Sequence, residues 1–291
     1  MKPLLLLVAV TAVWGVTFVQ VKNAVAIYPL FAFLALRFAI ASCTLAAPAA
    51  TRVRSLGRAG IGAAAFAGAL LGAGYALQTA GLERTSVSST GFITGMYVVL
   101  TPLLALVCFR TRIGATAWCG VLLATVGLAM LAGVHGGSPF GDLLVLAGAA
   151  VYSLQIVLME RYAPRYDALA FTLIEMLTAF AGLLVVAVLT GQLSVPHGWT
   201  VWSALLVTGV FASALAFLAQ TWAQRRATAT QTALAFSLEP VWAAFFGFTL
   251  AGDRLGVTGW LGCLVIMAGI VIAEPATFDL LRRLVGRPVA A

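Results

Sequence analysis

Charge is what this sequence has least of. Asp, Glu, Lys and Arg make up 9% of its 291 residues, against roughly a quarter in a chain whose surface meets water, and the mean hydropathy is +1.06. A secreted or cytosolic enzyme is excluded, because there is too little polar surface to wrap a soluble domain. Acids are scarcer still: nine Asp and Glu stand against seventeen Lys and Arg, a net charge of +8. The basic residues fall singly, in pairs or in one short cluster between apolar runs rather than along one amphipathic face, so no nucleic-acid partner is expected. Only two histidines and four cysteines are present. His135 and His197 lie in short loops containing Gly or Pro, where a solvated imidazole is expected rather than a metal ligand. Cys43, Cys108, Cys119 and Cys263 lie in or at the ends of apolar segments, with no C-x-x-C pair or neighbouring His, and read as small packing residues. The sequence also lacks D-x-x-D, H-x-x-x-H and Ser/His/Asp arrangements, which speaks against a membrane enzyme acting on lipid-linked substrates. Connections of about ten residues at most argue against a receptor with an extramembrane domain.

What is present is a succession of apolar windows, at roughly 3–21, 28–48, 60–80, 87–109, 115–133, 142–159, 167–189, 200–222, 230–251 and 256–274. Each is long enough to cross the hydrocarbon of a bilayer, about 30 Å, as a helix. Backbone amides in lipid must be paired within their own segment, and the runs lack the alternation of barrel strands. The predicted fold class is therefore an all-α integral membrane protein with ten transmembrane helices. Met1-Lys2-Pro3 followed by an apolar run resembles a signal peptide with a weak site at Ala24-Val25-Ala26, but the repeat described below makes this segment structural. With the N-terminus cytoplasmic, Lys2, Arg52, Arg54, Arg58, Arg110, Arg112, Arg161, Arg165, Arg225, Arg226, Arg282, Arg283 and Arg287 fall inside and only Lys22, Arg84 and Arg254 outside. That bias predicts a multi-pass protein of the cytoplasmic (inner) membrane with both termini cytoplasmic.

The chain also repeats itself. An offset of 138 pairs Leu5 with Leu143, Ala12 with Ala150, Val13 with Val151, Tyr28 with Tyr166 and Phe33 with Phe171, among eleven identities over 5–45. An offset of 142 pairs Gln78 with Gln220, Thr79 with Thr221, Arg112 with Arg254, Trp118 with Trp260 and Gly127 with Gly269. The change of register is expected in the connection around Gly191–Trp199. Residues 1–137 thus read as a first five-helix repeat, 138–275 as a second and 276–291 as a basic cytoplasmic tail. Five is odd, so the second copy starts on the opposite side of the membrane and lies inverted, as in alternating-access transporters.

Several stretches resemble the drug/metabolite transporter superfamily, in particular its EamA-type members. Val13-Trp14-Gly15-Val16-Thr17-Phe18 is similar to the family's opening pattern, and Leu36-Arg37-Phe38 to a second-helix motif. Gly141-Asp142-Leu143-Leu144 running into Ala150-Val151-Tyr152-Ser153 looks like the start of its second repeat. The most specific likeness is Ser237-Leu238-Glu239-Pro240-Val241-Trp242-Ala243-Ala244-Phe245-Phe246-Gly247, followed by Gly252-Asp253-Arg254-Leu255 and Trp260-Leu261-Gly262. The family often has Glu before Arg-Leu after the fourth and ninth helices, where this chain has Thr111 and Asp253. The resemblance implies translocation of a small-molecule substrate, often efflux, without a bound cofactor.

Charges inside lipid-spanning segments are costly and invite a functional reading. Arg37, Glu175 and Glu239 are the candidates. At the offset of 138 Arg37 superposes on Glu175, about 14 Å into its helix at 1.5 Å per residue. The two would either form an ion pair between the halves or bind a zwitterion from both ends; the alternative is that Arg37 merely holds helices together. Glu239 precedes Pro240, whose missing amide frees a carbonyl beside the carboxyl. The nearest motif of the other repeat is Thr101-Pro102, so Pro102 and Pro240 are the expected kinks and the acid is not duplicated. Trp14 and its counterpart Tyr152, with Tyr75, Gln78, Tyr97, Gln155, Gln220 and Trp222, supply aromatic and amide groups for a midplane cavity suited to an apolar, aromatic or cationic solute. Gly68-x-x-x-Gly72 and Gly91-x-x-x-Gly95 are expected to let helices approach closely.

The expected function is a secondary transporter, in the narrower reading an exporter of a small metabolite such as an amino acid, working by alternating access. A multidrug or nucleoside carrier and an uncoupled facilitator are the alternatives, and a coupled antiporter would need Glu239 or Glu175 to change protonation. The expected partners are the solute and the lipid bilayer, for a monomer or homodimer.

Overall fold

The computed structural model describes residues 2–85, 87–132, 138–246, 249 and 256–273, and among them no strand occurs. The helices are α1 (Lys2–Val25), α2 (Leu30–Ala49), α3 (Gly57–Leu82), α4 (Val87–Gly95), α5 (Tyr97–Phe109), α6 (Ala115–Ala132), α7 (Pro139–Tyr162), α8 (Ala168–Leu189), α9 (Trp199–Gly209), α10 (Ala216–Ala223), α11 (Ala229–Phe236), α12 (Glu239–Phe246) and α13 (Val257–Ala273). A π-helical segment, Val210–Leu215, joins α9 to α10. Seven uninterrupted or nearly uninterrupted stretches are long and apolar enough to cross a membrane, and α6 and α13 are shorter apolar helices. With α4–α5, α9–α10 and α11–α12 each counted as one broken rod, the described helices form ten passes of an all-α membrane protein.

Helix ends are closed by local chemistry. Asp167 accepts from the Ala170 amide at 3.0 Å at the start of α8. Thr228 and Gln231 form a reciprocal capping box at the start of α11, satisfying amides that have no partner within the helix. After α5 the chain turns through Arg110 at φ 53, and the Arg161 guanidinium lies 3.9 Å from the centre of the Phe109 ring.

The two halves pack about a pseudo-twofold relation that the glycines make visible. A Cβ on Gly120 would meet the Gly269 carbonyl at 2.6 Å, and one on Gly127 would meet the Gly262 carbonyl at 2.6 Å. Positions rising along α6 meet positions falling along α13, so the pair is antiparallel. Gly120 corresponds to Gly262 and Gly127 to Gly269, so the contact maps onto itself when the copies are exchanged. This is the geometry of an inverted repeat, and small residues let the backbones close without side-chain interference. The rods α4–α5 and α11–α12 repeat the pattern: one breaks at Met96 and the other at Ser237-Leu238, equivalent positions of the two copies.

Several expectations change. Gly68 and Gly72 do pack against α8, at the Glu175 backbone and Ala179; of the second motif only Gly95 is a close contact, a Cβ there meeting Leu128 at 2.9 Å and Pro240 at 3.3 Å, while nothing lies within 4 Å of one on Gly91. Cys43, Cys108 and Cys119 are exposed on outer faces and only Cys263 is buried, because an apolar thiol is as stable against lipid as within a core. The break in the fourth rod is at Met96, and α5 runs unbroken through Pro102. In the ninth the break precedes Pro240, which sits in the first turn of α12, where a missing amide costs least. The segment resembling a signal peptide is an integral helix whose Ala24 is fully buried. The register change falls where α8 runs into the 190–198 connection, which carries exposed His197. His135, Gly247, Gly252, Asp253, Arg254, Leu255, Arg282, Arg283, Arg287 and the 276–291 tail lie outside the described residues.

Candidate functional site

Polar side chains from both halves converge between α1, α2, α3, the α4–α5 break, α7, α10 and the α11–α12 break. They line a cavity of about 660 Å³, counting the open space at its mouth. Trp14, Arg37, Tyr75, Gln78, Tyr97, Tyr152, Gln155, Gln220 and Glu239 all face it.

Its acidic end is built by the break in the ninth rod. Pro240 has no amide to bond the Phe236 carbonyl four residues back, and the Tyr97 hydroxyl donates to that carbonyl instead, at 2.6 Å. Tyr97 Oη also lies 3.1 Å from Glu239 Oε2. Glu239 therefore stands beside a carbonyl taken out of the helical ladder. Tyr97 is its counterpart in the first repeat at the offset of 142, so the two side chains meet near the pseudo-twofold axis.

The basic end is built by the π segment. Its widened turn offers Ser213 and the Ala212 carbonyl to the first repeat. Arg37 Nε donates to Ser213 Oγ at 2.8 Å and Nη2 to Tyr75 Oη at 3.0 Å, and its guanidinium lies 4.4 Å from the Tyr75 ring centre. Trp14 Nε1 donates to Ala212 O at 2.8 Å. The aromatic walls interlock edge to face: Trp14 with Phe236, and Tyr75 with Tyr152 and Phe217. Gln78 bridges them, donating from Nε2 to Thr94 Oγ1 at 2.9 Å and accepting from the Tyr152 hydroxyl at 3.2 Å.

Two candidates sit elsewhere. Glu175 is fully buried behind Gln155, which donates to its Oε1 at 2.8 Å, and it does not line the cavity. Nor does it pair with Arg37: among the described residues the ion pairs are Arg52 with Asp167 and Arg84 with Glu83, both at the surface. Ser213 and Tyr75 hold Arg37 while Gln155 holds Glu175, so the expected ion pair between the halves does not form. Trp222 points away from the cavity and is partly exposed, with the Arg226 guanidinium 5.5 Å from its ring centre. It follows Gln220 by two positions and so lies on the opposite face of α10, where it reads as an interface anchor.

Residues that sequence reasoning missed complete the lining: Thr17, Phe18, Val21, Thr79, Leu82, Thr94, Ile156, Phe217 and Phe236. Helical spacing was the available signal for some, since Thr17, Phe18 and Val21 follow Trp14 at three, four and seven residues. Phe217 is the repeat counterpart of Tyr75. Among the described residues no group of three His, Cys, Asp or Glu side chains could hold a metal ion.

The cavity is lopsided. Its lining includes Val21 and Leu82, themselves buried, but not their repeat counterparts Met159 and Gln224. On the side of Met159 and Gln224, Leu7 and Val10 of α1 and Ala105 of α5 pack against Ile156 of α7 and Ala229 of α11, an apolar plug drawn from both halves.

Comparison with known proteins matches this architecture. An "uncharacterized transporter" of Archaeoglobus fulgidus is 30% identical over 92% of this chain and 84% of its own length. The "uncharacterized inner membrane transporter YedA" of Escherichia coli is 28% identical over 91% of this chain and 88% of its own. The "uncharacterized transporter YoaV" of Bacillus subtilis is 23% identical over 97% and 99%. A solved crystal structure superposes with a TM-score of 0.78 at 18% identity, covering 96% of this chain and 99% of that one, which supports the fold. The EamA-like transporter family matches twice, over residues 1–133 and 139–273, and the chain belongs to that family of multi-pass membrane transporters.

Proposed function

We propose that the protein is a secondary transporter that exports a small zwitterionic metabolite, such as an amino acid, by rocking the repeats 1–137 and 138–275 about the cavity between them. The observation that carries this reading is the arrangement of opposite charges in an aromatic enclosure: Glu239 beside the Phe236 carbonyl at one end, Arg37 at the other, and Trp14, Tyr75 and Tyr152 between them. An ammonium group needs oxygen acceptors, which Glu239 and the freed carbonyl supply. A carboxylate needs a donor fork, and Arg37 carries five N–H groups of which Nε and Nη2 are engaged. The aromatic faces suit an apolar or aromatic side chain.

The distribution of basic residues supports an inner-membrane topology with both termini cytoplasmic. The Val21–Leu82 end of the cavity then lies toward the outer face and the apolar plug toward the cytoplasm, as the two sides of an alternating-access site would. The working unit is a monomer or homodimer in the bilayer. A multidrug carrier for organic cations is disfavoured by Arg37, whose buried charge would repel such a solute.

A ligand-stabilisation screen of the purified protein tests the reading, because a ligand that binds the folded state raises the melting temperature. Amino acids with free amine and carboxylate are expected to stabilise it, and their N-acetyl and methyl ester derivatives are not. Stabilisation by nucleosides or monovalent organic cations alone would overturn the assignment.

A further inference from the structure

Gln155 and Gln220 of the cavity wall belong to a second polar system that runs behind it into the protein. Gln155 Nε2 donates to Glu175 Oε1 at 2.8 Å. Gln220 Nε2 donates to Gln155 Oε1 at 3.0 Å and to Gln224 Oε1 at 2.9 Å, and Gln224 Nε2 donates to Ile156 O at 2.9 Å. The network ties α7 to α8 and α10. Two of its oxygens have no hydrogen-bond partner, Glu175 Oε2 and Gln220 Oε1. Glu175 is 0% exposed and Gln220 1%.

Orphaned buried polar atoms require an explanation, and these two share one. Both belong to residues that bond the same amide, Gln155. An ionised Glu175 would be an acceptor with one neutral donor and no cation, which is costly in a dry interior. A protonated carboxyl instead carries a donor, and Gln220 Oε1 is an acceptor without one. A hydrogen on Oε2 would give this acceptor-rich network a donor.

Among the described residues no charged neighbour substitutes for that hydrogen. Glu175 is the only ionisable residue of α8. Of the elements packed on α8, α2 brings Arg37, held by Ser213 and Tyr75. The turn at 53–56 and α3 bring Arg54 and Arg58, both exposed, and Tyr75, which faces the cavity. The π segment and α10 bring no ionisable group. On α7, Tyr152 bonds Gln78 and Glu160 bonds the Ala229 amide, while Asp142 bonds Thr85 and Arg161 covers Phe109. Tyr162 packs on Phe171, and Asp167 at the head of α8 pairs with Arg52.

We propose that Glu175 is a proton-binding site, occupied in this conformation, that holds Gln155 and with it the plug residue Ile156 in the closed position. Release breaks the O–H bond, leaves the electron pair on the carboxylate and passes the proton to water entering from the cavity once Gln155 swings aside. The counterpart of Glu175 in the first repeat is Arg37, a permanent cation, so the response to protons belongs to one half alone. The proposal concerns gating within the transporter reading, but its tests need no translocated solute and stand apart from the assay of amino acids.

Infrared spectra of the full-length protein in liposomes test occupancy. The carbonyl band of a protonated carboxyl is expected in the wild type and lost, in whole or part, in Glu175→Gln, while an unchanged band in that variant overturns the proton site, as would a water that bridges an ionised carboxylate. Gating is read by maleimide labelling of Val10→Cys, a buried residue of the plug, in a background with Cys43, Cys108, Cys119 and Cys263 changed to Ser. Labelling is normalised to the denatured protein at each pH. Raising the pH is expected to speed labelling several-fold with Glu175 present and to leave Glu175→Gln unchanged, whereas equal responses in both overturn the gate. Ile27→Cys, in the exposed turn after α1 and labelled at all pH values in both, reports that the fold is intact.

Discussion

Tyr97 and Glu239 hold equivalent places in the two repeats, and their side chains meet with Tyr97 Oη 3.1 Å from Glu239 Oε2. Repeat symmetry thus brings together a hydroxyl and a carboxyl that lie 142 positions apart, and the carbonyl freed by Pro240 completes the group. Tyr97→Phe removes the donor to Phe236 O and leaves a buried acceptor unmatched. Its expected cost is about 1–3 kcal/mol of stability, read as a lower melting temperature in detergent, with loss of amine-dependent ligand stabilisation. Tyr97→Phe with both quantities unchanged would remove this group from the substrate site.

Arg37 joins the halves through Ser213 and bonds Tyr75 within its own repeat, and a lysine cannot reproduce a fork that bonds from two nitrogens. Arg37→Lys is expected to cost about 1.5–3 kcal/mol, the range for hydrogen bonds to charged groups, and to weaken binding of carboxylate-bearing solutes more than of simple amines. Equal loss for both solute classes would assign Arg37 to packing alone.

The glycine seam between α6 and α13 tolerates no side chain. Gly127→Ala would push a methyl into the Gly262 carbonyl and Ile266, an overpacking expected to cost about 1–3 kcal/mol. Gly91→Ala meets nothing and is expected to be neutral or slightly stabilising. Thermal unfolding followed by size-exclusion chromatography checks the pair, and a similar loss in both would contradict the antiparallel contact.

Trp14 and Trp222 make a second contrast. Trp14→Ala removes a cavity wall and the bond to Ala212 O, and is expected to abolish ligand stabilisation. Trp222→Ala is expected to preserve it, because the ring lies outside the lining. The reverse ranking would relocate the site.

Ten passes and two inverted copies were legible because lipid imposes long apolar runs and because Gln78/Gln220, Trp118/Trp260 and Gly127/Gly269 are too unlike the Ala/Leu/Val background to align by chance. Trp14, Arg37, Tyr97 and Glu239 were legible as polar or amphipathic groups where hydrocarbon tolerates few. Phe18, Val21, Leu82 and Ile156 were not, since an apolar residue on an apolar helix carries no mark of whether it faces lipid, a neighbour or a cavity. Trp222 failed for the same reason in reverse, its position in a span saying nothing of its azimuth. Glu175 was placed inside a span, but only packing revealed that Gln155 stands between it and the cavity. Proline located the ninth rod's break to within one turn and missed the fourth rod's, where Pro102 is absorbed in α5.

The most direct measurement is solute counterflow in proteoliposomes carrying the wild type, Trp222→Ala or Glu239→Gln, with a panel of amino acids trapped inside and trace label outside. Saturable accumulation of at least one amino acid is expected for the wild type and for Trp222→Ala, with at least a tenfold loss, about 1.4 kcal/mol, in Glu239→Gln. Accumulation by Glu239→Gln at the wild-type rate and affinity would contradict a substrate site built on that carboxyl.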